Sequence, residues 1–348
     1  MSTWLSFTPR DTVFVRDGRS FDAAADTSAA TVRPWPTTIA GAVGAVFGGK
    51  NPAEVRGPVL AHREGSGWEP YFPVPADLAV AADGSGRVYR LRPQEPGGNS
   101  GTDLDMQRWL MPLQDAGKVE SFDEAFPGHL MPGRVLARYL AGTLPASGTT
   151  VTDLRLRQPL WPEARVGLAR DGHAVRSGYL YQAVHLRLED DWAFLAEVSL
   201  ADGQVYRDAE PVPFGGRGRL ADVGAVDVSW PDAGTVQLGR RVLVYLATPA
   251  AWVEGWRPPL PAGARLVAAA TGKPQPATTL TPGRAWRDTR VLRWAVPAGS
   301  VYLLEFEDDA AGAAWSRQWQ SRALDRGTGG EDLVRTAGFG VALMGAWS

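Results

Sequence analysis

The chain contains no cysteine, which removes disulfide frameworks, thiolate zinc sites and cysteine nucleophiles from consideration. It is also poor in lysine: Lys50, Lys118 and Lys273 are the only ones, so nearly all of its basic residues are arginine. A guanidinium is planar and weakly hydrated, which suits bidentate phosphate contact and stacking, although a G+C-rich genome would produce the same bias. With a net charge of -2 the chain lacks the global basic field of a free, nonspecific nucleic-acid binder, and any nucleic-acid site has to be a local groove. No stretch approaches the ~18 consecutive apolar residues of a membrane-spanning helix. The opening residues Met1-Ser2-Thr3-Trp4-Leu5 carry no basic segment followed by an apolar run, so a soluble cytoplasmic protein is expected. There is no Gly-x-Ser-x-Gly elbow for a nucleophilic serine. The four histidines, His62, His129, His173 and His185, have no metal-ligand spacing, and the residues point to neither a metal, a cofactor nor a catalytic centre.

What is abundant is punctuation. Forty glycines and 27 prolines in 348 residues interrupt short apolar runs, a pattern of many strands and loops rather than of a helical bundle. Trp4 to Thr8 alternates like a strand. Pro34-Trp35-Pro36-Thr37-Thr38 introduces a small-residue helix over Ile39 to Phe47, and Met131 to Leu140 has the spacing of a second, amphipathic one. Strand-like Ala164 to Ala169 and Tyr179 to Leu186 flank Arg170 to Gly178, which is expected to form a long charged hairpin tip. Further strands are expected over 194–198, 220–228, 241–248, 265–270, 291–296 and 301–306, with a helix over Ala310 to Leu324. Proline, aspartate and glycine break the apolar pattern between Ser229 and Gly239, which places a boundary between residues 1–232 and 233–348. Each half ends in a glycine loop followed by a strand, a weak internal duplication.

Several motifs match in letters and fail in context. Gly44 to Lys50 has phosphate-loop spacing, but Asn51 stands where serine or threonine would hold magnesium, and the glycines end a helix, as a C-terminal stop does. Gly216-Arg217-Gly218-Arg219-Leu220-Ala221 resembles a dinucleotide fingerprint, yet a strand follows it instead of a helix. Asp308 or Asp309, in the acidic group with Glu305 and Glu307, is read as the N-cap of the next helix. The segment Arg335 to Trp347 is more suggestive. Gly338 and Gly340 expose backbone amides, Arg335 supplies charge and Phe339 an aromatic face, a combination that suits a sugar-phosphate chain. A barrel corner would use the same glycines for the turn alone.

Taken in order, Phe14-Val15-Arg16-Asp17-Gly18-Arg19-Ser20-Phe21, Pro34 to Ala42, Phe72-Pro73-Val74-Pro75-Ala76-Asp77-Leu78, Glu163 to Tyr181, Phe214-Gly215-Gly216-Arg217, Gly255-Trp256-Arg257-Pro258, Pro297 to Tyr302 and the terminal glycine loop resemble the third-subunit family of the Cmr-type, type III-B CRISPR effector complex. That family consists of Cas5-like members of the repeat-associated (RAMP) superfamily. The resemblance implies an α+β fold of two ferredoxin-like, RRM-related modules with an inserted β-hairpin and glycine-rich loops. It implies a non-catalytic role: holding the 5′ repeat-derived tag of the guide RNA and docking the large Cas10-type subunit beside the backbone RAMP subunits, with no membrane partner. The candidate RNA contacts are Arg16, Arg19, Thr37, Thr38, Arg170, His173, Arg176, Gly216, Arg217, Arg219, Arg335, Gly338, Phe339 and Gly340. Thr37 and Thr38 are equally explained by ordinary helix capping. A guide-processing endoribonuclease of the same superfamily, using a histidine, and a purely architectural subunit whose glycine loops face protein are the alternatives.

Overall fold

The computed structural model describes residues 2–16, 31–49, 52–94, 111–113, 119–201, 203–207, 210–280, 290–324 and 336–347. The chain begins with β1 (Ser2–Pro9), α1 (Pro36–Val46), β2 (Glu54–Glu64) and β3 (Gly67–Pro73). Short pieces follow: β4 (Leu78–Ala81), β5 (Val88–Arg90), β6 (Arg92–Gln94), β7 (Met111–Leu113), β8 (Val119–Ser121), α2 (Phe122–Ala125), β9 (Leu130–Pro132) and α3 (Gly133–Leu140). A long hairpin, β10 (Leu160–Asp171) and β11 (Ala174–Leu188), precedes β12 (Trp192–Ser199), β13 (Val212–Pro213) and β14 (Leu220–Val226). The remainder comprises β15 (Arg241–Leu246), β16 (Ala264–Ala270), β17 (Gln275–Leu280), β18 (Arg290–Ala295), β19 (Val301–Phe306), α4 (Asp309–Trp319), β20 (Arg322–Ala323) and β21 (Val341–Ala346).

Two antiparallel sheets dominate this mixed, strand-rich fold. One runs β13-β14-β1-β12-β2-β3-β9 and the other β16-β19-β15-β21-β20, with β10-β11, β17-β18, β4-β5-β8 and β6-β7 as small sheets beside them. The same order occurs in both: β14-β1-β12-β2 in the first and β21-β15-β19-β16 in the second place the fourth strand beside the first, then the third, then the second. The first sheet keeps a helix between its first two strands, α1, and the second keeps one between its last two, α4.

Burial explains the apolar runs. Every residue of β12 from Trp192 to Val198 is buried: Phe194, Ala196 and Val198 join the core under α1, while Ala193 and Leu195 pack with Trp4 and Trp230 on the other face. In β15, Leu243 and Tyr245 face a core shared with Phe72, Met131 and Tyr139, and Val242, Val244 and Leu246 face α4. Strands covered on both faces lose the alternation that a half-exposed strand keeps. The shared core is sealed by polar contacts, with the Tyr245 hydroxyl donating to Pro73 O at 2.6 Å and the Tyr139 hydroxyl to Asp77 Oδ1 at 2.6 Å.

Helix ends follow local chemistry. Pro36 opens α1, and Gly48 and Gly49, at φ +65° and +84°, stop it as expected. Asp308 caps α4 by accepting from Ala311 N at 2.7 Å. That helix ends at Trp319, short of the expected Leu324, because Ser321 turns at φ +54° and Arg322–Ala323 pair with β21. The hairpin tip also differs from expectation. Pairing continues to Asp171↔Ala174, with a bulge between Leu168 and Arg170, so the turn is only Gly172 and His173. Gly172 takes φ +59° at the first turn position, where tight hairpins use glycine. Arg170 and Arg176 therefore belong to strands, not to a loose loop.

Candidate nucleic-acid interface

Three chain segments meet at the base of the β10-β11 hairpin. Residues 12–15 run past it, with Val13 bridging Leu186. The loop from Phe214 to Arg219 lies against the same segment: Gly216 N donates to Phe14 O at 2.7 Å, and a side chain on Gly215, at φ +83°, would strike Phe14 O at 2.8 Å. Phe214 pins the loop to the core between Phe7 and Phe194, with ring centroids 5.9 and 5.3 Å away. A glycine is required at 215 for close approach, and the approaching backbone belongs to the protein.

Four guanidinium groups and two carboxylates face one another here. Arg165 donates to Asp11 at 2.9 and 2.8 Å and to Glu163 at 2.8 Å. Arg187 reaches Asp11 at 3.2 Å and also pairs with Glu163. Arg219 pairs with Asp11 as well. Arg217 is exposed and lies over the Phe14 ring at 5.0 Å. The hydrogen bond from Arg165 holds the Asp11 carboxyl far below the usual carboxylate range, and Arg187, then Arg165, hold Glu163 at about 2. These carboxylates are therefore charged at neutral pH, and they hold the arginines splayed on one surface. His185, bonded through Nδ1 to Thr12 Oγ1 at 2.8 Å, sits beneath them. Burial, followed by Arg219, Arg165 and Arg217, pushes its pKa down.

Of the candidate RNA contacts read from the sequence, Arg217 and Arg219 lie on this surface, and Arg16 lies at the end of the segment that runs past it, in a bridge to Thr31. The sequence reading missed Asp11, Glu163, Arg165 and Arg187. The pairs Glu163/Arg165 and His185/Arg187 have the two-residue spacing of one strand face, a signal that needed the register Glu163↔His185 to be read. Gly216 was expected to offer its amide to RNA, but that amide is bonded to Phe14 O. Thr37 and Thr38 are half-buried and make no side-chain cap, since the N-cap is Trp35. His173 is exposed at the hairpin tip. Arg170 and Arg176 flank it in β10 and β11, while Arg19 and Arg335 lie outside the described residues.

The terminal glycine loop needs the plainest correction. Phe339 is 3% exposed, stacked on Trp35 at 6.3 Å and 17°, so its ring faces the core. Gly338, at φ +99°, would place a Cβ 2.7 Å from Val55 O, while its carbonyl accepts from Thr248 Oγ1 at 2.7 Å. Gly340 N donates to Pro249 O at 2.8 Å. The loop is pressed against β2 at Gly338, which accommodates the β2 backbone.

A second concavity, about 400 Å³, opens between the two sheets, with Arg33, Trp35, His129 and Lys273 among its lining residues and no carboxylate. Among the described residues, no group of three or more histidine, aspartate or glutamate side chains is placed to hold a metal, and no helix is long and apolar enough to cross a membrane.

The chain matches the family model of the CRISPR-associated protein Cas_Cmr3 over residues 5–347. Comparison with curated proteins gives no match. Among solved structures it is similar to a chain of a type III-B Cmr-beta complex bound to cognate target RNA and AMPPnP, with 15% identity, 86% of each chain covered and a TM-score of 0.50. A second structure of that complex, bound to cognate target RNA, has 14% identity, the same coverage and a TM-score of 0.48. At such identities the likeness is one of fold, and the family match is what spans the sequence. The chain belongs to the Cas_Cmr3 family of CRISPR-associated proteins, the third subunits of type III-B Cmr effectors.

Proposed function

We propose that this subunit is non-catalytic, that it holds the 5′ repeat-derived tag of the guide RNA on the arginine surface at the hairpin base, and that it docks the large Cas10-type subunit beside the backbone RAMP subunits. The observation that carries the reading is the convergence of Arg165, Arg187, Arg217 and Arg219 from three segments onto one face. Guanidinium groups in such an array neutralise phosphates and fix the register of a single strand. The repeated fourth-first-third-second strand order supports two ferredoxin-like modules, and the Cmr-beta structure similar at a TM-score of 0.50 is itself bound to target RNA.

The nuclease alternative requires a base within hydrogen-bond reach of a ribose hydroxyl. His185, the histidine of this cluster, is 1% exposed and engaged with Thr12, which argues against it in that role. Incubation of the subunit with repeat RNA separates the readings. Tag-dependent retention without cleavage is expected; cleavage would support the nuclease, and neither would leave a scaffold. Retention should weaken with salt at a log-log slope of about -2 to -3, as about four single-stranded phosphates neutralised at about 0.7 each imply. A slope near zero would remove the electrostatic basis of the proposal.

A further inference from the structure

The cleft between the two sheets brings cations together without an acid. Arg33 and Lys273 line it, and no aspartate or glutamate does. Arg33 donates through Nη2 to Gly128 O. Burial lowers its pKa to about 10, with Tyr245 opposing the shift and, among the described residues, no carboxylate contributing; the guanidinium therefore stays charged at neutral pH. Two further groups beside it are unanswered. Trp35, the N-cap of α1, is 6% exposed, and its buried Nε1 has no acceptor; the buried Nδ1 of His129 has no partner either. Both residues line the cleft, and much of the remaining wall is apolar, with Tyr71, Phe72 and Phe126 beside prolines, which carry no N–H. A charge or a donor buried without a partner is costly, and an anion from outside the chain would complete this arrangement.

Resting on the assembly reading above, we infer that the cleft is a socket for one acidic side chain of a neighbouring protein subunit, an aspartate or glutamate flanked by apolar residues, whose carboxylate is taken by the Arg33 guanidinium and the Trp35 indole N–H. His129 joins them in the tautomer that carries its proton on Nδ1. A guanidinium fork matches a carboxylate in two parallel hydrogen bonds. The walls favour a protein segment over RNA. A sugar-phosphate chain would bring ribose hydroxyls and several phosphate oxygens against phenylalanine and proline, where they find no donor, whereas apolar side chains beside a single acid suit a mostly apolar cavity with a few placed polar groups. In this division the arginines at the hairpin base serve the RNA and the cleft serves the assembly.

The test pairs a probe with an assembly measurement, both on the full-length protein. The probe is the tripeptide acetyl-Phe-Glu-Phe-amide, titrated against isotope-labelled subunit and read from the Trp35 indole N–H resonance, which is identified by its absence in W35F. A saturable shift is expected, with affinity about tenfold weaker for acetyl-Phe-Gln-Phe-amide, as loss of a charge-assisted hydrogen bond implies, and no preference between the two peptides in R33M. An unmoved resonance, equal binding of the two peptides by wild type, or a larger response to triuridylate would each overturn the inference, the last by making the cleft an RNA site. In the reconstituted complex R33M is expected to hold its neighbouring subunits about tenfold less tightly. The isolated variant should melt at or above the wild-type temperature, because an apolar side chain replaces a buried cation that no carboxylate compensates. Gly128 is exposed, so its carbonyl can turn to water when the arginine is lost. A lower melting temperature would make Arg33 a structural residue, and full assembly of R33M would show that the cleft is not a contact; in both cases the inference fails while the assembly reading stands. If the wild-type subunit joins no complex, the assembly reading fails and takes this inference with it.

Discussion

Gly338 concentrates more constraint than any other residue of the terminal loop. Positive φ and a Cβ position 2.7 Å from Val55 O and 2.9 Å from Gly57 O act together, and neither obstacle is a side chain that can rotate away. Gly338→Ala is expected to lower stability by about 3 kcal/mol, the sum of a left-handed alanine and an overpacked contact, read as a fall in denaturation midpoint. Any loss of RNA retention in that variant should track the unfolded fraction; loss of retention by a fully folded variant would return the loop to the RNA site. Charge sets a second expectation at this scale. Arg240 and Arg265, at 2.6 Å each, hold Glu305 at about 2, below the value of about 4.3 in an unfolded chain. A carboxylate depressed in the folded state contributes stability above its unfolded pKa and loses it as pH falls toward the folded one. The stability gap between wild type and E305Q should therefore be present at neutral pH, at about 1 kcal/mol for a half-exposed network. It should close between about pH 4 and pH 2. Denaturant titrations at both ends measure this, and a gap independent of pH would show that Glu305 acts through packing alone.

The β10-β11 hairpin shows what an element owes to its surroundings. Its strands are 12 and 15 residues long, which at about 3.3 Å per residue gives a ribbon of about 40 Å. Among the described residues, its base packs into the main core through Leu160, Leu186 and Leu188. Excising Gly167 to Tyr181 and closing Val166 to Gln182 with Asn-Gly keeps the observed register pair and should change the melting temperature by no more than about 2 °C, since the described core contacts of the hairpin lie at its base. In a reconstituted complex the same excision is expected to shift pairing or target cleavage at the 5′ end of the guide; unchanged cleavage sites would mean that the ribbon does not act there. This hairpin also marks where the sequence stopped being informative. Strands such as β12 and β19 were readable because burial selects their residues. Toward the tip, Arg176-Ser177-Gly178 looked like loop but lie within β11, where its register to β10 shifts. The arginine surface was half legible for a related reason. Arg217 and Arg219 stood out beside glycines, but the meeting of Asp11 with Arg165 is set by which strands pair. In the terminal loop both glycines were read as sites of close approach by a sugar-phosphate chain, whereas at Gly338 the approaching backbone is that of β2.

At the scale of the molecule, the two large sheets share one core. Tyr139 and Met131 from the first part pack with Leu243, Tyr245 and Leu343 from the second, and Arg56 Nη1 donates to Ser321 O at 2.8 Å. We propose residues 1–232 and 233–348 as the two modules, and chains cut at that point should copurify when coexpressed and aggregate when expressed singly, because each half exposes its share of this core. Two monodisperse, independently melting halves would mean that the shared core adds little. The sheet order carries a further consequence, one of time. β1 lies in the interior of its sheet between β12 and β14, and Ser6 reaches its partner Gly224 218 residues along the chain. At about 5–20 residues per second of synthesis, this apolar strand waits about 10 to 40 s for its far neighbour to be made, with both edges open to any other strand it meets. The fold therefore depends on β1 being sheltered during that interval, and its speed of formation is set by the ribosome and by whatever holds the unfinished sheet.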